Sequence, residues 1–394
     1  MKKTTLLLCS LLVLCFLYAA CNKDDDNAPQ EPEFNLEQTF PIQYVAEQPD
    51  SLLPWPHHDP SISQSAYEKM LDELFIINNY GQYQCGEEKE ECYFHDGLDV
   101  VLNNGTPVFA VEPGTVKAEL GGNEYYRTLV VEDADEPGMA WAYTHIYYFA
   151  VGYGDELEQG QYLGRVNFQG VEHIHLSRVR LADGGSWFNY SDLIHVYPDR
   201  VFVSEDNTPP TIETPFQFYK NTTDELMDHG MVDTVSGDVD IVVRMRDTGS
   251  YSKGDVGGGS IWGDRLCVKR IEYSIQKDGV ELLARPSFDF SKMEFQYNPE
   301  RWREAGVVYK FHYVADPDHQ NFNGFLSNYI ITNARDDLAG QIDLADTNLA
   351  WNTAKTNDIG ERVFPDGLYK IVVKAWDAHD NMSMEEDEVY VKND

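Results

Sequence analysis

The sequence predicts a mainly β protein, with an all-β unit over residues 93–204 followed by a two-sheet sandwich region over 205–394. Three observations predict it. Between 93 and 200, short runs of β-branched and aromatic residues are punctuated by Gly and Pro, and helical periodicity is nearly absent. Beyond Asp206, longer runs alternate apolar and polar residues, as strands with one buried face do. The length, 394 residues, exceeds what one hydrophobic core usually spans, so two or three domains are expected.

Residues 1–20 read as a signal peptide. Met1-Lys2-Lys3 is a basic start, and Leu6, Leu7, Leu8, Leu11, Leu12, Val13, Leu14, Phe16 and Leu17 form an apolar run that ends in Ala19 and Ala20. The run is shorter than the roughly 18 apolar residues that a membrane span needs. Leu17-Tyr18-Ala19-Ala20-Cys21 resembles the lipobox of bacterial lipoproteins. That resemblance implies cleavage before Cys21 and acylation of its thiol, and each buried methylene would contribute about 0.8 kcal/mol of anchoring.

Residues 21–40 are a polar, acidic, Pro-containing tether with too little apolar surface to fold. Its opening, Asn22-Lys23-Asp24-Asp25-Asp26, resembles the signal that sends lipoproteins of Bacteroidetes-like bacteria to the outer surface. An outer-membrane lipoprotein facing the cell exterior is therefore expected. Residues 41–92 are a lead-in with one helix: Ser65 and Glu68 form a capping-box pattern, and Tyr67, Met70, Leu71, Leu74 and Phe75 follow at helical spacing. The helix is expected to pack on the next domain. Cys85 and Cys92 flank an acidic loop, and in an exported chain they are expected to pair. Cys267 reads as a buried thiol in a strand-like run.

Strands are expected at 98–102, 106–111, 114–118, 128–132, 141–148, 160–166 and 173–180. Asp206-Asn207-Thr208-Pro209-Pro210 then straightens the chain into the last region. There Ile241, Val243 and Met245, then Ile271, Tyr273 and Ile275, then Tyr369, Ile371, Val373 and Ala375, each share a face. Two of these runs stop at an aspartate, Asp247 and Asp377. The ending from Asp366 to Met382 resembles the closing strands of bacterial immunoglobulin-like domains, while Gly257 to Gly259 and the stretch 316–345 read as loops or insertions. Asp316-Pro317-Asp318 matches no calcium-loop spacing and reads as a solvated turn.

The charge balance is 67 acidic to 30 basic residues, a formal net charge of -37, with no basic cluster after the first residues. Nucleic acid and anionic membrane surfaces are thus excluded as partners. Chemistry is concentrated at three places. His95 and Asp99 are separated by three residues, and His145 lies in the alternating run from Trp141 to Ile146. His173 and His175 are two apart in a strand, so both imidazoles point to one place. The other seven histidines, His195 among them, show no ligand spacing.

The order His-x-x-x-Asp, Tyr-x-His, His-x-His resembles that of the lysostaphin/LytM zinc metalloendopeptidases. The hairpin-like Asn104 to Val116 and the turn Gly154 to Gly164 resemble that family's segments too. The resemblance covers about 110 residues, and several motifs in one order are far more specific than one. It implies a LytM-like antiparallel β-sheet core, one Zn2+ per chain held by His95, Asp99 and His175, and catalytic roles for His145 and His173. Three protein ligands leave a fourth position open, as in catalytic zinc sites. It also implies cleavage of peptide bonds in peptidoglycan stems or cross-bridges. In the segment 165–172, Glu172 departs from the family's small residue or proline and is expected to face away from the histidines.

The region 205–394 contains no catalytic cluster and reads as a spacer or as a surface for a protein or glycan partner. The surface-export signal motivates an alternative: a non-catalytic lipoprotein that uses the metal-binding fold to bind glycan, peptide or a protein partner.

Overall fold

Alternating and β-branched runs become strands across the described residues. The computed structural model describes residues 54–63, 65–66, 76–84, 92–121, 123–168, 172–198, 206–227, 233–247, 266–299, 301–310, 327–333 and 344–393. The signal peptide, the tether, Cys21, Cys85, Asp316 to Asp318, Gly257 to Gly259 and most of the helix after Ser65 lie outside these residues. Ser65 and Ala66 themselves are helical.

The largest sheet in the first half is antiparallel. Its strands lie in the order Ile76–Asn78, Leu98–Val101, His173–Leu181, Met139–Thr144, Thr128–Asp133, Gly114–Leu120 and Glu156–Leu157. A three-stranded sheet, Pro107–Phe109, Tyr162–Val166 and Ile146–Tyr147, lies against it. Val108, Ile146, Leu163 and Val166 of the small sheet pack with Leu98, Val100, Val131, Tyr143, Ile174 and Leu176 of the large one. The large sheet thus buries Ile174 and Leu176 on this side, and strand alternation places His173 and His175 on its other face.

The lead-in divides its contacts. Trp55 is buried in the core between these two sheets, and the Phe109 N–H donates to Pro56 O at 2.7 Å. His57 and His58, next in sequence, are buried as well. Burial lowers both imidazoles to about 4, with His58's proximity adding to the effect on His57. A neutral buried imidazole makes the unfolded chain the better proton binder below pH 6.5, so stability falls as pH drops from 6.5 to about 4 and levels off below. The loss is on the order of 3 kcal/mol for His57. Denaturant midpoints measured between pH 7.5 and 4.5 are expected to fall more steeply in the native chain than in His57→Gln; equal slopes would contradict this.

Tyr80, Tyr83, Cys92 and Phe94 belong instead to the core of the C-terminal sandwich. Tyr80 donates its hydroxyl to His195 O and Met293 O, and Phe94 stacks on Phe295 at 4.7 Å. Strand Leu193–Val196 pairs with both His173–Leu181 and Phe295–Gln296, joining the large sheet to the C-terminal region. Cys92 is disulfide-bonded. Cys267 is a buried free thiol whose Sγ–H donates to Tyr80 O, and burial pushes its pKa up.

The C-terminal region is a two-sheet sandwich. One sheet comprises Thr211–Lys220, Asp238–Arg246 and Ser327–Ile330, with Trp351–Asn352 beside them; the other comprises Asp233–Val235, Met382–Val391, Gly367–Trp376, Arg270–Lys277 and Val280–Asp289. Ile241, Val243 and Met245 face Ile271, Ile275, Ile371 and Val373 in one core. The stretch 316–345, read from sequence as a loop or insertion, contains the strand Ser327–Ile330. All four of its residues are buried, so it lacks the alternation that marks a half-exposed strand. No helix among the described residues is long and apolar enough to cross a membrane.

Candidate metal centre

Strand register creates the site. His175 pairs with Asp99 on one side and with Thr144 on the other, and His173 pairs with Val101. Directly opposed residues project to one face, which brings the Asp99 carboxylate to the His175 ring. His95 lies in the turn that enters Leu98–Val101. The outcome is three donor atoms close together: His95 Nε2 lies 3.0 Å from Asp99 Oδ1 and 3.0 Å from His175 Nδ1, and His175 Nδ1 lies 2.7 Å from Asp99 Oδ1.

Gly97 permits this approach. A Cβ there would sit 2.6 Å from Leu176 O and 2.8 Å from His175 Nε2.

His145 and His173 stand beside the three. Their rings are 4.7 Å apart, and His173 Nε2 is 3.6 Å from Asp99 Oδ1. His145 was expected inside one alternating strand. Instead it sits at φ 65° between Met139–Thr144 of the large sheet and Ile146–Tyr147 of the small one. That left-handed residue carries the chain from one sheet to the other and turns its ring toward the cleft, where its Nδ1–H donates to Tyr125 O at 2.6 Å.

A second set of residues, not singled out in the sequence, orients the first. His95 Nδ1–H donates to Asn79 O at 3.1 Å, leaving Nε2 for the cleft. His175 Nε2 lies 2.8 Å from Ser177 Oγ and 3.2 Å from Asp96 Oδ1, leaving Nδ1. Asn78 Nδ2–H donates to Asp99 Oδ2 at 2.5 Å, and Gln82 Nε2–H donates to Asn78 Oδ1 at 3.0 Å. Metal-ligating groups are commonly fixed by such outer partners. His195, without ligand spacing in the sequence, backs this layer: its Nδ1–H donates to Asp96 O at 3.2 Å. The one sequence signal for Asp96 is its position between His95 and Gly97, where any carboxylate would neighbour the ligand pair.

The electrostatics follow from these contacts. Burial alone would raise Asp99, but His95, His173 and His175 outweigh it and hold the carboxyl well below the usual range. Burial would lower His175, but hydrogen bonds to Asp96 and Asp99 prevail and lift it to about 10. Burial and the neighbouring His173 push His145 down to about 3, so this imidazole is neutral at pH 7. Tyr126 and Phe168 line the cleft, Phe168 lying 4.2 Å from the His145 ring and 4.6 Å from His173. Glu172 is turned away as expected: its carboxylate accepts from Asn104 N–H at 2.7 Å and from Asn104 Nδ2–H at 3.0 Å.

The Asp96 contact makes a direct prediction. Asp96→Asn is expected to lower divalent-metal affinity by about 10–100-fold, because the His175 tautomer loses its anionic partner. Competition against a chromogenic chelator reads this, and unchanged affinity would remove Asp96 from the account.

The sheet thus gathers two imidazoles and a carboxylate around one point, with two more imidazoles beside it. Residues 93–184, about a quarter of the chain, match the family model Peptidase family M23. Among solved structures, the chain is similar to the catalytic domain of a point mutant of EnpA, a prophage-encoded M23 protein of Enterococcus faecalis. The identity is 22%, over 32% of this chain and 89% of that one, with a TM-score of 0.25. Lysostaphin's catalytic domain from Staphylococcus simulans is 24% identical over 28% of this chain and 84% of its own, TM-score 0.23. A zinc-containing peptidase from Vibrio cholerae is 21% identical over 25% and 33%, TM-score 0.21. No curated protein matches the chain.

Proposed function

We propose that the chain is a zinc-dependent endopeptidase that cleaves peptide bonds in peptidoglycan stems or cross-bridges, anchored in the cell envelope through lipid on Cys21. The observation that carries the reading is the convergence of His95 Nε2, Asp99 Oδ1 and His175 Nδ1 within 3.0 Å of one another. Two nitrogens and one carboxylate oxygen suit zinc, and the opposite ring nitrogens are already committed, as liganded imidazoles usually are. Bound there, zinc supplies a Lewis acid for the scissile carbonyl and activates water near neutral pH.

The protein's own groups divide the remaining work. His145 has its Nδ1 proton committed to Tyr125 O, so Nε2 is free to take a proton from the attacking water. His173, whose ring stands 4.7 Å from that of His145, steadies the negative charge that develops on the carbonyl oxygen. Tyr126 and Phe168 offer apolar faces to the substrate chain. The signal segment, the lipobox-like Leu17 to Cys21 and the Lys23-Asp24-Asp25-Asp26 run support an outer-membrane lipoprotein facing the exterior. The C-terminal sandwich is then a spacer or a partner-binding module.

Metal analysis of the full chain is the test of the centre itself. One zinc per chain, released by a chelator and regained on adding zinc, is expected; a chain that takes up no zinc at micromolar concentration contradicts the reading.

A further inference from the structure

Three buried carboxylates meet at one end of the C-terminal sandwich, on elements that contribute nothing to the peptidase cleft. Asp206 lies in the linker that leads to strand Thr211–Lys220, Asp247 follows Asp238–Arg246, and Asp377 follows Gly367–Trp376. One oxygen of each lies within 4.8 Å of the others. Relative exposures of 5%, 3% and 0% separate them from ordinary acidic turns, which are solvated. Two of the strands belong to one sheet and the third to the other, so the cluster joins both layers to the linker.

Hydrogen bonds aim these carboxylates. Asp377 Oδ1 accepts from the N–H groups of His379 and Asn381 at 2.8 and 2.9 Å, and its Oδ2 accepts from Asn381 Nδ2–H at 2.8 Å. Asn381 Nδ2 also donates to Asp206 O at 2.8 Å, and Asp206 Oδ1 accepts from Thr208 N–H at 2.9 Å. Neutral donors orient negative charge without cancelling it. Burial raises the Asp377 carboxyl, and the charge of Asp206 adds to the effect.

A separate observation points to a ligand. Asp206 Oδ2 is buried and makes no hydrogen bond, on a side chain with 0% exposure. His379 Nδ1 lies 3.9 Å from it, beyond hydrogen-bond reach. Buried carboxylate oxygens are ordinarily satisfied, and one left over beside two other carboxylates is the arrangement a cation completes.

We propose that Asp206, Asp247 and Asp377 bind a calcium ion that clamps the linker to both sheets of the sandwich. The three named donors are all carboxylates, which suits a hard cation over zinc or copper. Three carboxylates from three separate strand ends can give mono- or bidentate ligation, and calcium accepts such irregular sets where magnesium demands a near-ideal octahedron. The ion holds the linker residue Asp206 against the ends of two strands, and so fixes how the chain enters the sandwich.

The experiment uses the full chain, solubilised in detergent, freed of metal and reloaded with one equivalent of zinc. Calcium uptake is measured by equilibrium dialysis, thermal unfolding is followed with and without calcium, and terbium luminescence is excited through Trp376 next to Asp377. Expected are one calcium per chain at millimolar concentration, a rise of several degrees in Tm, and sensitised terbium emission that calcium displaces. Asp206→Asn keeps an oxygen for Thr208 N–H and is expected to weaken calcium binding about tenfold or more while zinc content stays unchanged. Asp247→Asn should do the same. Asp380→Asn, exposed on the same turn and ion-paired with Lys269, should bind calcium as the native chain does. Absence of calcium uptake, unchanged affinity in both Asp206→Asn and Asp247→Asn, or equal loss in Asp380→Asn would overturn the proposal.

Discussion

His173→Ala is expected to lower peptide hydrolysis by about 10²–10⁴-fold, the range that one positioned acid-base group supplies, while zinc stays bound. His173 lies beside the three donor atoms, with Nε2 3.6 Å from Asp99 Oδ1, so its removal leaves the metal-binding triad whole. His145→Ala should cost a similar factor, since the two rings stand 4.7 Å apart in the same cleft. The double variant is expected to lose far less than the product of the two, because groups that act as a unit are not additive. Single-turnover rates on a purified cross-linked peptide, with zinc content measured alongside, check this. A fully active His173→Ala would refute its assignment.

Asp99→Ala should have the larger effect on the metal. It removes one of three protein donors and leaves His95, His173 and His175 without the anion that all three face. Zinc affinity is expected to drop by well over about 100-fold, beyond the loss that an outer partner such as Asp96 causes. Activity should disappear at physiological zinc and return in part when zinc is raised. Retention of stoichiometric zinc at nanomolar free metal would show that the ion sits elsewhere. The folded chain should survive the change, because Leu98 and Val100, the flanking core residues, keep their packing.

Much of the first half was legible in the sequence, for a local reason. Period-two alternation and Gly or Pro punctuation marked the strands at 98–102, 114–118, 128–132 and 173–180 within a few residues of their observed limits. The His-x-His spacing placed two imidazoles on one face. What could not be read was set by register between distant segments. Asp96, Asn78 and Ser177 acquire their places only when strands Ile76–Asn78, Leu98–Val101 and His173–Leu181 pair, and nothing local to any one of them reveals it. The left-handed turn at His145 was hidden because its neighbours alternate as a strand does, and the chain changes sheet within that run.

The C-terminal half was less legible. Its half-exposed strands were readable, whereas Ser327–Ile330, buried on both faces, has no pattern to read. Helix Arg301–Val308 is short, and its buried residues Ala305, Val307 and Val308 lack a clear helical stripe. The aromatic residues of the lead-in, Tyr80, Tyr83 and Phe94, gave no sign that they complete the core of a sandwich more than a hundred residues further on. The aspartates closing two strands were visible; their meeting with Asp206 was not.

The most direct test of the central claim is digestion of peptidoglycan of several cross-link chemistries by the full chain, with and without chelator, followed by mass spectrometry of the products. New peptide ends that vanish with chelator and return with zinc are predicted. No cleavage of any wall by a chain carrying stoichiometric zinc would contradict the peptidase reading and leave a metal-holding surface lipoprotein that binds its partner without cutting it.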